Sequence, residues 1–485
     1  MHGYDRLSGL DASFLALERI ETPMHIGSLA VLEGGPFFDD DGRFRIADVR
    51  HLVASRLHLI PRFRKRPMTV PFDLGRPIWV DDPRFDVAYH VRLTALPNPG
   101  TRAQLLALLE RVQTQMLDRT RPLWELWFVE GLEGGNVAVI QKTHHALVDG
   151  ISGVDVATVL FDFTPEPTIP DAPAWEAEPA PNSLQLLLDT LSEGVGEVAR
   201  VQHTITEAIQ FPRRVADQLL ELGRSLATLA EGRLVAPQLS INHPVGRRRR
   251  FLGVTVPLDD VKRVRESFGG TINDVVLAGI AGGLARLLET RGELRPGLQL
   301  KVMCPVSVRP NAERGDDEQL ALGNRVSAMI FPIPVGEPDP VVRLAAVRAT
   351  TAGLKERKQA VGASTIMDLT QYAAPTLLGL AARAAHHQRF FNVVSTNVPG
   401  PQVPLYCMGA RMLEAYPMVP LSRNLGLGIA ILSYCGSLQI GLLADGDTFA
   451  DLDVLATGLE DAFAELRKVA DDSVRAAEEP LDGPR

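Results

Sequence analysis

The segment from His144 to Gly150, H-H-A-L-V-D-G, is the feature that most constrains how this chain can fold. The residues before it, 136–142, are mostly apolar and rich in β-formers, which predicts a strand that ends at Thr143. From Ser152 onward an S-x-x-D capping pattern leads into an apolar run, which predicts a helix. The segment therefore lies on a strand-to-helix turn, where Gly150 can adopt backbone angles closed to other residues.

The two histidines are the candidate reactive groups of this turn. An imidazole has an unperturbed pKa of about 6.5, close to neutral pH, so it can act as a base. No serine in the chain has glycines two residues before and two after it, and no cysteine lies near a histidine motif. The sequence thus offers a base without a recognisable nucleophile, which favours direct group transfer without a covalent intermediate.

Size, charge and cysteine content narrow the class of protein. The 485 residues exceed what one hydrophobic core usually supports, so we expect two domains. A net charge of −9 argues against nucleic acid as a partner. The spacings of Cys304, Cys407 and Cys435 suit neither a disulfide framework nor a zinc site, and residues 1–14 lack the apolar core of a signal peptide. We therefore expect a cytoplasmic protein.

Changes in composition along the chain predict three parts. Residues 164–182 contain six prolines among acidic residues, which indicates an extended linker. From Leu184 to Leu229, apolar residues recur at three- and four-residue intervals, which predicts an amphipathic helical pair that packs on the protein body or lies on a lipid surface. The expected parts are an N-terminal domain over 1–163, the linker and helices over 164–245, and a C-terminal domain over 246–485.

The C-terminal part has the pattern of a second α/β unit. Strands are predicted over 251–256, 298–305 and 326–332, and helices over 259–268 and 273–291. Residues 424–444 carry no charge and are long enough to span a bilayer, but four glycines interrupt them, which favours a buried hairpin that turns at Cys435-Gly436-Ser437. The run Arg247 to Arg250 is typical of a solvated face, or of a site for CoA phosphates or anionic headgroups.

Seven further motifs accompany the histidine segment. They are L-S-G-L-D-A-S-F-L (Leu7 to Leu15), P-M-H-I-G (Pro23 to Gly27), R-P-L-W-E (Arg121 to Glu125), T-I-N-D-V-V-L-A (Thr271 to Ala278), P-V-S-V-R-P (Pro305 to Pro310), L-G-N-R-V-S (Leu322 to Ser327) and N-V-P-G-P (Asn397 to Pro401). Together they resemble the bacterial wax ester synthase/diacylglycerol acyltransferase family. That family belongs to the CoA-dependent acyltransferases, which include chloramphenicol acetyltransferase and peptide-synthetase condensation domains. The heptapeptide alone resembles the larger group, and the P-L-W and N-D-V sequences narrow the resemblance to this family.

The resemblance implies a fold and a reaction. The fold would be α/β, with two chloramphenicol-acetyltransferase-like domains of mixed sheets and an active-site tunnel at their interface. The reaction would be transfer of a long-chain acyl group from acyl-CoA to the hydroxyl of diacylglycerol or of a long-chain alcohol. Acyl-CoA is then a substrate and no cofactor or metal is implied. Membrane association, if any, would be peripheral, at the inner membrane or at lipid droplets.

The resemblance also implies roles for individual residues. His145 would be the general base, His144 would support the turn, and Gly150 would give backbone room. Asp149 would shape the turn through an ion pair with Arg309.

For other residues, two interpretations remain open. Asn273 is either a hydrogen-bond donor near the reacting centre or an ordinary N-cap, and Ser395 and Thr396 are weaker candidates for an oxyanion donor. Pro122, Leu123 and Trp124 either line the acyl channel or pack below the motif strand, and packing is favoured.

Alternatives for the histidine motif and for the function remain. A metal site is disfavoured because adjacent strand residues point to opposite faces. The spacing of His144 and Asp149 also matches the H-x-x-x-x-D of glycerolipid acyltransferases, which usually carry it near the N-terminus beside membrane segments. A structural histidine pair is the third reading. For the whole protein, the rivals are an acyltransferase that receives its acyl group from a carrier protein and a non-catalytic lipid-binding protein.

Overall fold

A computed structural model describes residues 5–73, 75–148, 161–190 except 168, 170 and 172, 235–307, 326–360 and 390–478. Its helices are α1 (Gly9–Leu17), α2 (Ile46–Arg56), α3 (Val87–His90), α4 (Arg102–Thr114), α5 (Leu258–Phe268), α6 (Ile272–Thr290), α7 (Pro340–Ala360) and α8 (Leu452–Glu478). The strands are β1 (His25–Leu32), β2 (Lys65–Met68), β3 (Ile78–Asp81), β4 (Val91–Ala95), β5 (Trp124–Glu130), β6 (Val137–His144), β7 (Arg249–Pro257), β8 (Leu300–Ser307), β9 (Val326–Ile333), β10 (Val393–Pro399), β11 (Tyr406–Cys407), β12 (Ala410–Met418), β13 (Leu427–Tyr434) and β14 (Ser437–Asp445).

The first sheet has the strand order β11-β12-β1-β6-β5-β4. β1 runs antiparallel to β6 and β12, whereas β4 and β5 are parallel. β6 lies between β1 and β5, and apolar side chains cover both of its faces, those of α4 on one side and those of α2 on the other. Strands buried on both faces are nearly continuous apolar runs, which explains the composition of β6. The end of β6 is therefore held rigidly.

Two strands of the first sheet come from the C-terminal part of the chain. β12 pairs with β1 so that Leu29 lies opposite Tyr416, and β11 pairs with β12. The expected boundary at residue 246 therefore does not divide the two sheets. The physical reason is that β12 occupies the edge of β1, which would otherwise present unpaired backbone groups, and local periodicity does not encode such a pairing.

The second sheet has the order β7-β14-β13-β10-β8-β9. The predicted strands and helices of the C-terminal part are confirmed, with ends that differ by a few residues. The predicted hairpin is confirmed as well, because β13 and β14 are antiparallel neighbours. Its turn places Cys435 and Gly436 at positive φ, of 43° and 78°.

Helix α6 packs against α8 at close range. Its N-terminus has a capping box in which Thr271 and Asp274 bond reciprocally to each other's backbone N–H. A Cβ added at Gly279 or Gly283 would lie 2.6 Å from Phe463 or 2.7 Å from Leu459. The glycines of this helix therefore allow α8 to approach its backbone closely. No single helix among the described residues is long and apolar enough to cross a membrane, whereas α5 and α6, bent by 104°, pass that test together.

The proline-rich linker contacts the two-stranded antiparallel sheet of β2 and β3. Where described, residues 164–182 form no regular helix or strand, as predicted. The Trp175 ring stacks against the Arg64 guanidinium at 5.0 Å, and the Glu178 N–H donates to Asp81 at 3.0 Å. A helical segment follows over 183–190. The remainder of the predicted helical pair lies outside the described residues.

Candidate active site

The strand before the predicted turn ends one residue later than predicted, at His144 instead of Thr143. β6 ends at His144, and a short 3₁₀ turn, His145–Val148, follows directly. Asp149, Gly150, the predicted helix from Ser152 and Arg309 lie outside the described residues. The geometry that can be examined is therefore that of the two histidines and of the residues around them.

His145 is half-buried and is oriented by its neighbours in α1 and in the segment before β1. Its ring stacks on that of Phe14, with centroids 4.0 Å apart and planes inclined by 28°. Its backbone N–H donates to the Met24 carbonyl at 2.8 Å. These contacts fix both the backbone and the ring plane of the candidate base.

His144 is fully buried, and its contacts define which ring nitrogen accepts a hydrogen bond. Its Nδ1 lies 3.1 Å from the backbone N of Ala146, whose N–H can only donate. Nδ1 is therefore the acceptor, and in the neutral ring Nε2 carries the proton. Nε2 lies 3.5 Å from Glu18 Oε1, an electrostatic contact rather than a full hydrogen bond.

Glu18 is a buried carboxylate that sequence reasoning missed. Its Oε1 accepts the Met24 N–H at 3.1 Å and lies 3.3 Å from His25 Nε2, while its Oε2 accepts from Arg119 Nη2 at 2.8 Å. It lies between two recognised motifs, but nothing in its local sequence indicated that four groups would converge on it. Only the tertiary contacts of α1 reveal the site.

The pKa values of Glu18 and His25 favour an ionised carboxylate beside a neutral His25 imidazole. Burial raises the pKa of Glu18, but the contacts with His144 and His25 outweigh it and leave that pKa well below its ordinary value. Burial lowers the pKa of His25 to about 4, against the opposing effect of Glu18. At neutral pH, His25 is thus uncharged and Glu18 is negative, with the Arg119 guanidinium as counter-ion.

Pro122, Leu123 and Trp124 lie buried directly before and at the start of β5. The Trp124 ring stacks on His90 with centroids 4.5 Å apart, and its Nε1–H donates to the Phe63 carbonyl at 2.8 Å. These are the contacts of a side chain that packs below the motif strand, which is the favoured interpretation. An acyl channel remains a proposal for these residues.

Asn273 is not an N-cap, so that reading was wrong. Thr271 caps α6, and Asn273 is the second residue of the helix. The Asn273 Oδ1 accepts from Asn397 Nδ2 at 3.4 Å, at the end of β10. Ser395 is buried in β10 and Thr396 is half-buried. The structure thus brings Asn273 next to the N-V-P-G-P motif.

The arginine run at the start of β7 is mostly paired rather than presented as one charged face. Arg249 is buried and donates to the Glu21 carbonyl, which lies in the segment before β1. Arg248 lies 3.7 Å from Asp447, and Arg250 lies 3.7 Å from Asp453.

Within the described residues, no group of three or more His, Cys, Asp or Glu side chains could hold a metal ion.

Comparison with known proteins places the chain in a family. Residues 7–276 match the wax ester synthase/diacylglycerol acyltransferase catalytic domain, and residues 322–467 match the C-terminal domain of the same enzymes. A putative diacylglycerol O-acyltransferase of Mycobacterium tuberculosis CDC 1551 is 34% identical, over 96% of this chain and 91% of the relative. A probable diacylglycerol O-acyltransferase of strain H37Rv is 35% identical, over 95% and 96%.

Solved structures agree with this placement. The wax ester synthase/diacylglycerol acyltransferase of Marinobacter aquaeolei VT8 superimposes with a TM-score of 0.68 at 27% identity, covering 96% of this chain and all of that one. The starter condensation domain of rhizomide synthetase gives a TM-score of 0.57 at 15% identity, covering 99% and 96%, which is evidence for the fold alone. The expected α/β fold is confirmed, and the chain belongs to the wax ester synthase/diacylglycerol acyltransferase family.

Proposed function

We propose that this protein transfers a long-chain acyl group from acyl-CoA to the hydroxyl of diacylglycerol or of a long-chain alcohol, with His145 as general base. The observation that carries the proposal is the placement of His145. It is the half-buried histidine that directly follows the central strand β6, within a chain that matches the family over both of its domains. The names of the relatives supply the acceptor classes, diacylglycerol and alcohol.

The proposed chemistry is a single displacement. His145 removes the hydroxyl proton as the oxygen attacks the thioester carbonyl, the C–O bond forms and the C–S bond breaks. The imidazolium then returns the proton to the departing CoA thiolate. Both substrates must be bound together, so their proximity supplies a large part of the rate enhancement.

Further residues complete the proposal, some of them outside the described part. Asp149 pairs with Arg309 and shapes the turn, and Gly150 gives the backbone room. Asn273, Ser395 and Thr396 are the candidate oxyanion donors, and Pro122, Leu123 and Trp124 are candidates for the border of an acyl channel, with packing below the motif strand as the favoured role. These roles follow from the family resemblance.

A peripheral position on a cytoplasmic lipid surface is the proposed location. Exposed apolar side chains around the antiparallel β2–β3 ribbon support it. Phe72, beside the β2–β3 ribbon, is 84% exposed, and Leu184 and Leu188 are 66% and 57% exposed. The helical segment 183–190 packs on this ribbon through Leu186, so its two exposed leucines lie one turn apart on the outer face. Apolar surface of this kind is typical of proteins that dock on lipid.

The proposal is tested by following free thiol release from long-chain acyl-CoA with purified protein. Release that depends on added diacylglycerol or long-chain alcohol supports the proposal. Release only when the acyl group is presented on a carrier protein would identify the condensation-type alternative. Binding of either lipid without thiol release would identify a lipid-binding protein.

A second test addresses the absence of an acyl-enzyme. We expect initial-rate plots with both substrates varied to intersect, as for a ternary complex. Protein incubated with labelled acyl-CoA and no alcohol, then denatured, should carry no label. Stoichiometric covalent label would contradict direct transfer and make His145 the activator of a nucleophile, for which Ser152 is the nearest candidate.

A further inference from the structure

The first helix supplies two side chains to the environment of His145. Phe14 stacks on the imidazole ring. Glu18 is the C-cap residue of the same helix, and its N–H donates to the Phe14 carbonyl. Stacking partner and carboxylate thus lie one helical turn apart on one rigid element. The family motif at Leu7 to Leu15 lies largely in this helix. No step of the proposed chemistry uses a residue of that motif.

One carboxylate oxygen of Glu18 is linked to the peptide groups on both sides of the His145 α-carbon. The first link runs through Met24, whose N–H donates to Oε1 at 3.1 Å and whose carbonyl accepts the N–H of His145 at 2.8 Å. The second runs through His144, whose Nε2 lies 3.5 Å from Oε1 and whose Nδ1 accepts the N–H of Ala146 at 3.1 Å.

The second link works with only one tautomer of His144. A proton on Nδ1 would face the N–H of Ala146, donor against donor, and would turn the Nε2 lone pair towards the carboxylate. Arg119 binds Oε2 with two nitrogens, Nε at 3.2 Å and Nη2 at 2.8 Å, which keeps the carboxylate charged. A fixed negative charge beside Nε2 therefore favours the tautomer that holds the turn.

We propose that Glu18 is a positioning residue for acyl transfer, which holds the peptide N–H groups of residues 145 and 146 and thereby sets the orientation of the His145 imidazole. The inference rests on the proposed function, in which His145 is the base. Misplacing a catalytic group by about 1 Å can cost up to ~10²-fold in rate, so the effect should be large although Glu18 touches no substrate.

The first test is Glu18→Gln. Glutamine has one acceptor oxygen, and the Arg119 guanidinium competes for it, which leaves an NH₂ group facing the Met24 N–H and His144 Nε2–H. We expect kcat to fall by about 10- to 100-fold while KM for acyl-CoA and for the acceptor changes by less than about 2-fold. Glu21→Gln, an exposed glutamate three residues further on, is the matched control and should keep the wild-type kcat.

The second test is a rescue. Adding Arg119→Met to Glu18→Gln removes the competing donor, so the glutamine oxygen can return to Met24 and His144. We expect kcat of the double variant to recover several-fold over Glu18→Gln, although the ion pair is lost entirely. A folded double variant no more active than the single one would contradict the proposal, because a carboxylate needed only for its ion pair would give that result.

The third test needs no variant at residue 18. The ¹⁵N shifts of His144, assigned with His144→Asn, should show Nδ1 unprotonated and Nε2 protonated in the wild-type protein. The opposite tautomer or a doubly protonated ring would overturn the proposal, even if Glu18→Gln does not fold. Wild-type kcat in Glu18→Gln together with an inactive His145→Ala would refute this inference alone, whereas an active His145→Ala would refute the base assignment itself.

Discussion

Two adjacent imidazoles at the end of β6 have different surroundings, and this difference separates their chemistry. His144 is fully buried, with Nδ1 facing the Ala146 N–H and Nε2 facing Glu18. His145 is half-buried and stacks on Phe14 through one ring face. A general base must reach the proton that it removes, and only His145 has an exposed surface from which to do so.

The first prediction follows from this contrast. His145→Ala should lower kcat by about 10²- to 10⁴-fold, the usual contribution of a general base, while the protein stays folded. The measurement is thiol release at saturating acyl-CoA, with circular dichroism as the check on folding.

His144→Ala is the comparison variant for this prediction. It removes the acceptor of the Ala146 N–H but leaves the base in place, so its loss of activity should be smaller than that of His145→Ala. The reverse order, with an active His145→Ala, would show that the base has been assigned to the wrong ring.

The second prediction concerns pH and His90, which is buried against Trp124. Burial lowers the pKa of His90 to about 4 from 6.5, opposed by its hydrogen bond to the Trp124 carbonyl. Between pH 6.5 and 4 the unfolded chain therefore binds a proton here that the folded protein does not. The contribution of His90 to the free energy of unfolding should fall with decreasing pH across this window, by up to about 1.4 kcal/mol per pH unit, and should be constant above pH 6.5.

His90→Asn tests this contribution, since the asparagine amide can still donate to the Trp124 carbonyl but does not titrate. Denaturant unfolding between pH 7.5 and 5 should show a shallower pH dependence than the wild type below pH 6.5 and a parallel one above it. Equal slopes across the whole range would mean that His90 does not hold its neutral form in the folded state.

At the level of elements, the sequence predicted those features that depend on local pattern. β6, the hairpin of β13 and β14, and helices α5 and α6 all follow from periodicity and turn residues. Glu18 was not predictable, because its partners Met24, Arg119 and His144 meet only after α1 has packed on the turn. A single charged residue at the end of a helix carries no local signal that it will be buried.

Lys142 shows the same limitation in β6 itself. It lies two residues before His144, in a strand predicted from its apolar pattern, and its side chain is fully buried. Its Nζ donates to the Val112 and Gln115 carbonyls at the end of α4, at 3.1 Å and 2.8 Å, and lies 3.5 Å from Glu125. Burial lowers its pKa, against the effect of Glu125. One cation thus connects the end of a helix to the strand that carries the site.

The third prediction is that Lys142→Met destabilises the fold. It removes the buried ammonium that donates to the Val112 and Gln115 carbonyls and one of the two cationic partners of Glu125, which should cost about 3 kcal/mol. Denaturant unfolding measures the change. Lys262→Met, at a half-exposed ion pair with Asp259 on α5, is the control and should stay within about 0.5 kcal/mol of wild type. An equally small change in the free energy of unfolding for both variants would show that the fold does not depend on Lys142.

For the whole molecule, the two sheets are interlocked rather than arranged as two separate halves. β12 belongs to the first sheet yet lies against β14 of the second, where the Gln439 side chain accepts the Ala415 N–H. Phe251 of β7 donates its N–H to Glu110 of α4 at 2.9 Å. The sequence indicated two α/β units, but it could not show this exchange, because pairing between β1 and β12 depends on contacts between distant parts of the chain.

The fourth prediction tests how tightly the sheets depend on each other. A Cβ added at Gly441 of β14 would lie 1.9 Å from the Pro417 carbonyl oxygen of β12, where neither backbone can move without separating the sheets. Gly441→Ala should therefore lower the free energy of unfolding by about 3 kcal/mol, the upper part of the range for overpacking. Because both sheets meet at this position, unfolding followed by tryptophan fluorescence and by circular dichroism should shift together.

The matched control is Gly353→Ala in α7. A Cβ there meets no atom within 4 Å, so the same substitution should raise stability by about 0.5–1 kcal/mol through helix propensity and a smaller loss of backbone entropy. If Gly441→Ala behaved like this control, the two strands would be free to move apart. If only one spectroscopic signal shifted, the two sheets would unfold independently, and the exchanged strand would not make the molecule one cooperative unit.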